Sequence, residues 1–442
     1  MYHPIFRPGA QRQIQKIGEA DLVIGLPTSK NAAIAAQVAQ VILAGVSQYY
    51  PDLRTVLLNA DIGREASTRK AIAAQVSANG HSCNFVTGRY HGSSGQGSAT
   101  AALLDAALAL DAKAIVILDS YTQTIAPNWI PGLAYLILEN KTDLVLPRYQ
   151  WSLQAPGSTL SDLIAYPLFR ALWGQSVRHP AASDFALSPK LATALLDEDV
   201  WETDVADFGL PPWLTTYAIV NKWRVAQSAL GEKQTALDFP LTAPQTGVKK
   251  REVKRLTQQA EAQFQSIVSV LFRQAYHYRS HWQKIKRFHS LSTLTQFAGD
   301  VPTTPIPEHD PVPLLDNLAL GWMEYRALWR LILTADNLAH LEALASLPVD
   351  RFYFPSDLWA RIIYDFAVVF NKGEHDPYQI VQSLYPLFQG RLAAYWQEIA
   401  GLSLVAREGT IAAQAVEFEE TRPYLNKRWR KYPPWQTKDP FK

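Results

Sequence analysis

Cysteine is almost absent. Cys83 stands alone in 442 residues, which excludes an internal disulfide framework and any multi-cysteine zinc site, and fits a reducing compartment, so a cytoplasmic location is expected. Net charge is equally scarce: the 42 basic and 40 acidic side chains nearly cancel, which leaves no global field for nucleic acid or an anionic membrane. No base-reading motif is present, and nucleic acid is not an expected partner. The local exception is the basic run Lys249, Lys250, Arg251, Lys254 and Arg255, which suits a solvated helix face. Long apolar runs are missing too. The opening MYHPIFRPGAQRQIQKIG has no apolar core of the kind a signal peptide needs, and the window from Ala101 to Leu118 is broken by Asp105, Asp111 and Lys113, so no membrane span is expected. There is no GxxxxGK[ST] phosphate loop, no GxGxxG turn in the required position after a strand, and no internal repeat.

What is present is a chain 48% hydrophobic and 19% charged, ample for a large core in two domains or three. From Asp21 to about Ala229, short β-branched or leucine runs alternate with longer alanine-rich helical windows, the pattern of a parallel, doubly wound sheet. The predicted strands are DLVIGLP, TVLLNA, CNFVTG, AIVILD and DLVLPR, with crossover helices over Asn31 to Tyr50 and Ala66 to Asn79. VIGLP and AIVILD are continuously apolar, as strands covered on both faces are. After about Lys249 the spacing becomes helical and rich in aromatics, and Trp322, Tyr325, Trp329, Phe366 and Phe370 fall at helical steps that suit a core. The proline-rich VPTTPIPEHDPVPLL, residues 301–315, reads as an extended connector between two helical blocks. The expected organisation is an N-terminal extension over 1–20, an α/β domain over 21–248 and a helical C-terminal domain over 249–442.

In such sheets ligands sit outside the carboxyl ends of the strands, and three predicted loops there carry chemistry. They are Pro27-Thr28-Ser29-Lys30, the stretch from His91 to Ser98, and Asp119-Ser120-Tyr121. The second contains Gly92, Gly95 and Gly97 and leads into a helix expected to begin near Ala99, whose first amides could face an anion; a mobile surface loop is the plainer reading. Asp119 ends an apolar strand and could face a divalent cation or a ribose hydroxyl, or simply form a turn. Pro127 and Trp129 then favour the start of the helix WIPGLAYLILEN.

The order LPTSKN, a Gly-rich loop before TAALLDAAL, VILDSYTQTIAPNWI, HPAASDFALSPKLATALL and DFGLPPWLTTYAI resembles nucleotide-sugar glycosyltransferases of the GT-A fold. Within them it most resembles mannosylglycerate synthase and related glucosylglycerate-forming synthases, and DRFYFPSDLWARIIYDFAVVFNKGEHDPYQIVQSLYPLFQGRLAAYW is similar to that family's helical C-terminal region. The resemblance implies a GT-A, Rossmann-like mixed sheet followed by a mostly α-helical region, and transfer of a sugar from a nucleotide diphosphate to a small acceptor such as a hydroxy acid, with retention of configuration. It implies that Pro27, Thr28 and Lys30 border the nucleotide, with Gly95 and Gly97 in the glycine-rich nucleotide-binding loop. It also implies that Asp119 is the surviving acid of an Asp-X-Asp motif holding a divalent metal, Mg or Mn, and that Asp119 and Asp207 serve catalysis. Arg148 and Thr159 match the region that binds the acceptor carboxylate, a role suited to the planar fork of arginine.

The sequence departs from that pattern in four places. Tyr121 replaces the second acid, and a phenol is a poor ligand for magnesium or manganese. No lysine stands in Ser93-Ser94-Gly95-Gln96-Gly97, Pro211 occupies the place of an acid, and Gln234 lies near the family's metal-binding histidine. Asp184, Glu202, Asp204 and Asp207 are available to compensate, although most of these acids read as solvated loop or cap residues; Asp207, just before Phe-Gly-Leu, is the exception. The departures make the metal doubtful. They also motivate an alternative: a catalytically lapsed glycosyltransferase fold acting as a binding or assembly protein, a homo-oligomer or a scaffold. Such a protein would engage partners through the helical C-terminal region or the basic aromatic tail over 426–442.

Overall fold

The computed structural model describes residues 6–29, 31–63, 66–78, 83–151, 159–235, 250–299, 306 and 308–432. Lys30, residues 301–305 of the proline-rich stretch, the side chains of the basic run at 249–255 and residues 433–442 of the tail lie outside the described residues. The chain forms two compact units: the first comprises 1–155, 176–239 and 289–302, the second 156–175, 240–288 and 303–442.

The first unit is built on an eight-stranded mixed sheet. Its strands are β1 (Leu22–Thr28), β2 (Thr55–Asp61), β3 (Asn84–Gly88), β4 (Ala114–Ile117), β5 (Leu144–Trp151), β6 (Phe185–Leu187), β7 (Val225–Lys233) and β8 (Thr293–Leu294), in the spatial order β8-β7-β5-β6-β4-β1-β2-β3. All five strands predicted from the apolar runs form. Only β6 runs antiparallel to its neighbours β4 and β5, which makes the sheet mixed rather than wholly parallel. The helices of this unit are α1 (Pro8–Ile17), α2 (Ala32–Tyr49), α3 (Ser67–Ala78), α4 (Gln96–Ala109), α5 (Trp129–Leu138), and, further along the chain, Pro189–Leu196 and Leu210–Val220.

Every residue of β1 and β2 is buried, as their uninterrupted apolar runs require of strands covered on both faces. Leu22, Ile24 and Leu26 of β1 pack in one core cluster with Ala35, Ile42 and Val46 of α2 and with Leu133 of α5. On the other face a Cβ at Gly25 would meet Leu103 of α4 at 3.1 Å, so helices cover both sides. Among the described residues α2 is the one helix long and apolar enough to cross a membrane by length and composition, and its apolar side is part of this core.

The second unit is helical: Tyr166–Trp173, Lys250–His277, Arg279–Trp282, Val312–Ile332, Ala335–Ala345, Ser356–Lys372, Pro377–Ile399, Leu404–Glu420 and Arg422–Lys431. Trp329, Phe366 and Phe370 are buried in it, while Trp322 and Tyr325 are only half-buried. The last part of the proline-rich stretch is helical rather than extended, because Pro313 falls in the first turn, where its missing N–H has no partner to lose.

Candidate functional site

The chain order fixes where the first unit can hold a ligand. From β1 it steps outward to β2 and β3, then crosses back to lay β4 on the opposite side of β1. The loops leaving β1 and β4 therefore part around a topological switch point at the carboxyl ends of the strands, the crevice in which open α/β sheets bind ligands. Side chains tie these loops together. The Asn31 amide donates to the Ser120 carbonyl at 2.8 Å and to its hydroxyl at 3.1 Å, and the Tyr121 phenol donates to the Ser29 carbonyl.

Asp119 emerges from β4 into a group of charges that its own loop does not supply. Its Oδ1 accepts the Tyr121 N–H at 3.0 Å, and its Oδ2 accepts the Ser183 hydroxyl at 3.0 Å and the Lys233 ammonium at 3.4 Å. Asp184, just before β6, accepts the Asp119 N–H on Oδ1 at 2.7 Å; its Oδ2 accepts both the Tyr149 hydroxyl and the Lys233 ammonium. Lys233 closes β7 with its side chain fully buried, Asp184 is equally buried, and the Asp119 side chain keeps 15% exposure. The Lys233 ammonium also lies 5.1 Å from the centroid of the Tyr149 ring, which stacks on Trp129 at 5.4 Å. Burial by itself would lower the Lys233 pKa, but the carboxylates of Asp184 and Asp119 together outweigh it and hold the ammonium above its ordinary value. Tyr149 is pushed well up by burial and by Asp184, so it stays a neutral donor.

These residues do not fit the divalent metal that the resemblance implies. The space between Asp119 and Asp184 is filled by an ammonium, Tyr121 spends its hydroxyl on Ser29, and among the described residues no group of three or more His, Cys, Asp or Glu could hold an ion. Asp119 lies just past the carboxyl end of β4, where the sequence placed it, and its partner is a lysine.

Beyond the switch point, Thr28 and Asp61 end β1 and β2 side by side. Asn59 donates to the Leu26 carbonyl and to the Thr28 hydroxyl, both at 2.9 Å, and accepts the Thr87 hydroxyl at 2.8 Å, so three strand ends share one polar net. Asp61 is fully buried against Arg69 at 3.1 Å; burial raises its pKa despite that guanidinium and the Gly63 N–H. Pro27 lies in β1 opposite Ala60.

Next along the edge is a pocket of about 510 Å³ lined by Gly92, Ser93, Gly95, Trp201, Glu202 and Asp207, among others. The helix behind it begins at Gln96, earlier than expected, with Gly95 as its N-cap. The Gly97 N–H donates to the Asp207 carbonyl at 2.9 Å, so this first-turn amide is already paired. Glycine is required at both positions by close approach: a Cβ at Gly95 would lie 2.0 Å from the Ala206 carbonyl oxygen, and one at Gly97 1.9 Å from that of Val205. Tyr90 donates to the Gly95 carbonyl at 3.2 Å, and its pKa is raised by burial and by the charges of Asp61 and Asp207 on either hand. Asp207 itself is raised by burial and by Asp204. With two acids and a tryptophan among the described residues of its lining, the pocket offers acceptors to hydroxyl groups.

The structure thus brings Asp119 together with Asp184 and Lys233, Thr28 with Asp61, and Gly95 and Gly97 with Asp207. Arg148 is exposed on β5 in the first unit, whereas Thr159 is fully buried in the second. Lys233, Tyr149 and Asp61 were not singled out from the sequence; NADIG, an acid closing a strand beside Thr28, was the signal available for Asp61.

No protein-family model matches the chain, and no curated protein matches it. Among solved structures, glucosyl-3-phosphoglycerate synthase from Mycobacterium tuberculosis in complex with Mg2+ and uridine diphosphate is similar over 61% of this chain and 85% of its own, at 18% identity and a TM-score of 0.39. The same enzyme in complex with phosphoglyceric acid is similar over 63% and 87%, at 17% identity and 0.39. Its complex with Mn2+, UDP-glucose and phosphoglyceric acid is similar over 60% and 85%, at 17% identity and 0.38.

Proposed function

We propose that the first unit binds a nucleoside diphosphate sugar across the carboxyl ends of β1 and β4, and that the protein is a nucleotide-sugar-dependent hexosyltransferase acting on a small acceptor such as a hydroxy acid. The observation that carries this reading is the switch point. The loops that part there are Thr28-Ser29 and Asp119-Ser120-Tyr121, the same stretches that resemble the nucleotide-binding motifs of GT-A glycosyltransferases. In this reading Pro27 and Thr28 border the nucleotide, the acidic pocket at Glu202 and Asp207 accepts hydroxyls of the sugar or acceptor, and the exposed Arg148 is free to meet an acceptor carboxylate. Lys233 and Asp119 set the charge of the site beneath the departing diphosphate.

Calorimetric titration of the full chain with UDP, GDP and ADP, followed by incubation with their sugars and a panel of hydroxy acids, tests it. One nucleotide is expected to bind and its sugar to be transferred, and Asp119→Asn, checked for intact folding, is expected to abolish transfer. No binding and no nucleotide release with any donor would overturn it.

A second reading has one observation in its favour: every oxygen of Asp119 and Asp184 is already satisfied within the protein. That is how a lapsed site retained for binding or assembly would look. Nucleotide binding without turnover supports this reading over the first.

A further inference from the structure

Two carboxylates 65 residues apart converge on one point, and a cation is already there. Lys233 Nζ donates to Asp119 Oδ2 at 3.4 Å and to Asp184 Oδ2, with no solvent exposure of its own. The remaining oxygens are taken by the Tyr121 N–H, the Ser183 hydroxyl, the Asp119 N–H and the Tyr149 hydroxyl. His179 is engaged by the Tyr149 carbonyl at 3.1 Å, and the Tyr121 hydroxyl by the Ser29 carbonyl. A divalent ion entering between Asp119 and Asp184 would have to displace hydrogen bonds on both carboxylates and stand against a desolvated ammonium of like charge. Magnesium and manganese also require several oxygen ligands, and among the described residues no group of three or more His, Cys, Asp or Glu could supply them.

We propose that Lys233 is the resident cation of this site: its ammonium takes the place of a divalent metal between Asp119 and Asp184, closes the pair to Mg2+ and Mn2+, and makes nucleotide binding independent of metal. The closure to metal rests on the structure alone; its consequence for nucleotide rests on the glycosyltransferase reading. The substitution is internally consistent. One of the two positive charges that a divalent ion would bring from solution is supplied by a fixed ammonium on a strand end, held in register by β5 beside it and by the Tyr149 ring. The loss of the second acid at Tyr121 removes negative charge that a monovalent cation could not neutralise.

The experiment is a Mn2+ titration followed by the electron paramagnetic resonance signal of the free ion, on the full chain and on Asp119→Asn, Lys233→Ala and the Lys233→Ala/Asp119→Asn pair. The native chain is expected to take up no Mn2+ that Asp119→Asn abolishes. Lys233→Ala, with the carboxylates left facing an open space, is expected to gain one Mn2+ site that the added Asp119→Asn removes. An Asp119-dependent Mn2+ site in the native chain would overturn the assignment. So would a Lys233→Ala protein that keeps its circular dichroism and cooperative melting yet gains no site. If Lys233→Ala fails to fold, the native chain and Asp119→Asn decide the matter between them. A parallel titration with nucleoside diphosphate should give the same Kd in EDTA and in Mn2+, and a Kd that tightens with Mn2+ would overturn the metal independence. Absence of nucleotide binding in either buffer counts against the glycosyltransferase reading and leaves the cation assignment to the Mn2+ arm.

Discussion

Tyr121 shows how one side chain can join two loops. Its phenol reaches back to the Ser29 carbonyl, fastening the loop after β4 to the loop after β1. Tyr121→Phe keeps the ring and removes this bond, so a loss of about 1 kcal/mol in stability is expected, the usual net value of one internal hydrogen bond. If the switch point holds the nucleotide, its affinity should fall in the same variant; urea denaturation and calorimetry measure the two effects separately. Asp119 was legible in the sequence, because an acid directly after an apolar run marks a strand's carboxyl end. Its partners were not. Asp184 lies 65 residues and Lys233 114 residues away, and nothing in local spacing reports a pairing that only the sheet order creates.

At the scale of the strands, two matching clamps hold the opposite edge of the sheet. Asp21 precedes β1 and Arg54 precedes β2; Asp143 precedes β5 and Arg224 precedes β7. In each, the arginine grips both carboxylate oxygens, through Nε and Nη2 at 3.0 and 3.1 Å in the first and 2.8 and 2.9 Å in the second, while its own N–H adds a third bond. The aspartate N–H returns to the arginine carbonyl at 2.8 and 2.7 Å, which fixes the register of each parallel pair from its first residue. The repeated texts DLV with RTV and DLV with RVA carry the device in the sequence, visible once the pairing is known. Both aspartates are held below the ordinary carboxylate pKa, Asp21 by hydrogen bonds from Arg54 and Lys113 and Asp143 by Arg224. A depressed carboxylate pKa adds stability above the ordinary value and loses it as pH falls through the folded one. The native chain should therefore weaken steadily below about pH 4. Asp21→Asn and Asp143→Asn should each be less stable at neutral pH and lose less on acidification, by urea midpoints measured across that range. The half-exposed arginines keep the effect modest. The three-residue β6 escaped the sequence pattern for a different reason: three apolar residues show no period of any kind.

Over the whole molecule, the spacing of aromatics announced a helical C-terminal half, and that half is helical. Composition could not announce the crossings. Residues 289–302 return to the first unit, where β8 pairs with β7 and the Phe297 carbonyl accepts from Asn128 at 2.8 Å; residues 156–175, set within the α/β pattern, belong to the second. That early segment is fastened inside the second unit by a buried ion pair 245 residues long in sequence: Arg407 Nη2 meets Asp162 Oδ2 at 2.5 Å, both side chains almost wholly buried. Tyr395 donates to the same carboxylate oxygen at 3.1 Å and accepts from Arg407 Nε at 3.1 Å, and Gln414 donates to the Asp162 carbonyl at 2.8 Å. Such a pair repays its desolvation only while both members are present. Asp162→Asn takes this carboxylate away from a buried guanidinium, and Arg407→Met takes the guanidinium away from a buried carboxylate, so each single change should cost about 3–5 kcal/mol. The double change removes both charges from the same dry space and should cost clearly less than the sum of the two. Equilibrium denaturation of the four proteins measures that coupling. If the losses simply add, the pair does not act as a unit, and the early segment is held within the second unit by its other ties, among them Gln414 to the Asp162 carbonyl, the Trp359 N–H to the Leu163 carbonyl and the Arg170–Glu419 ion pair.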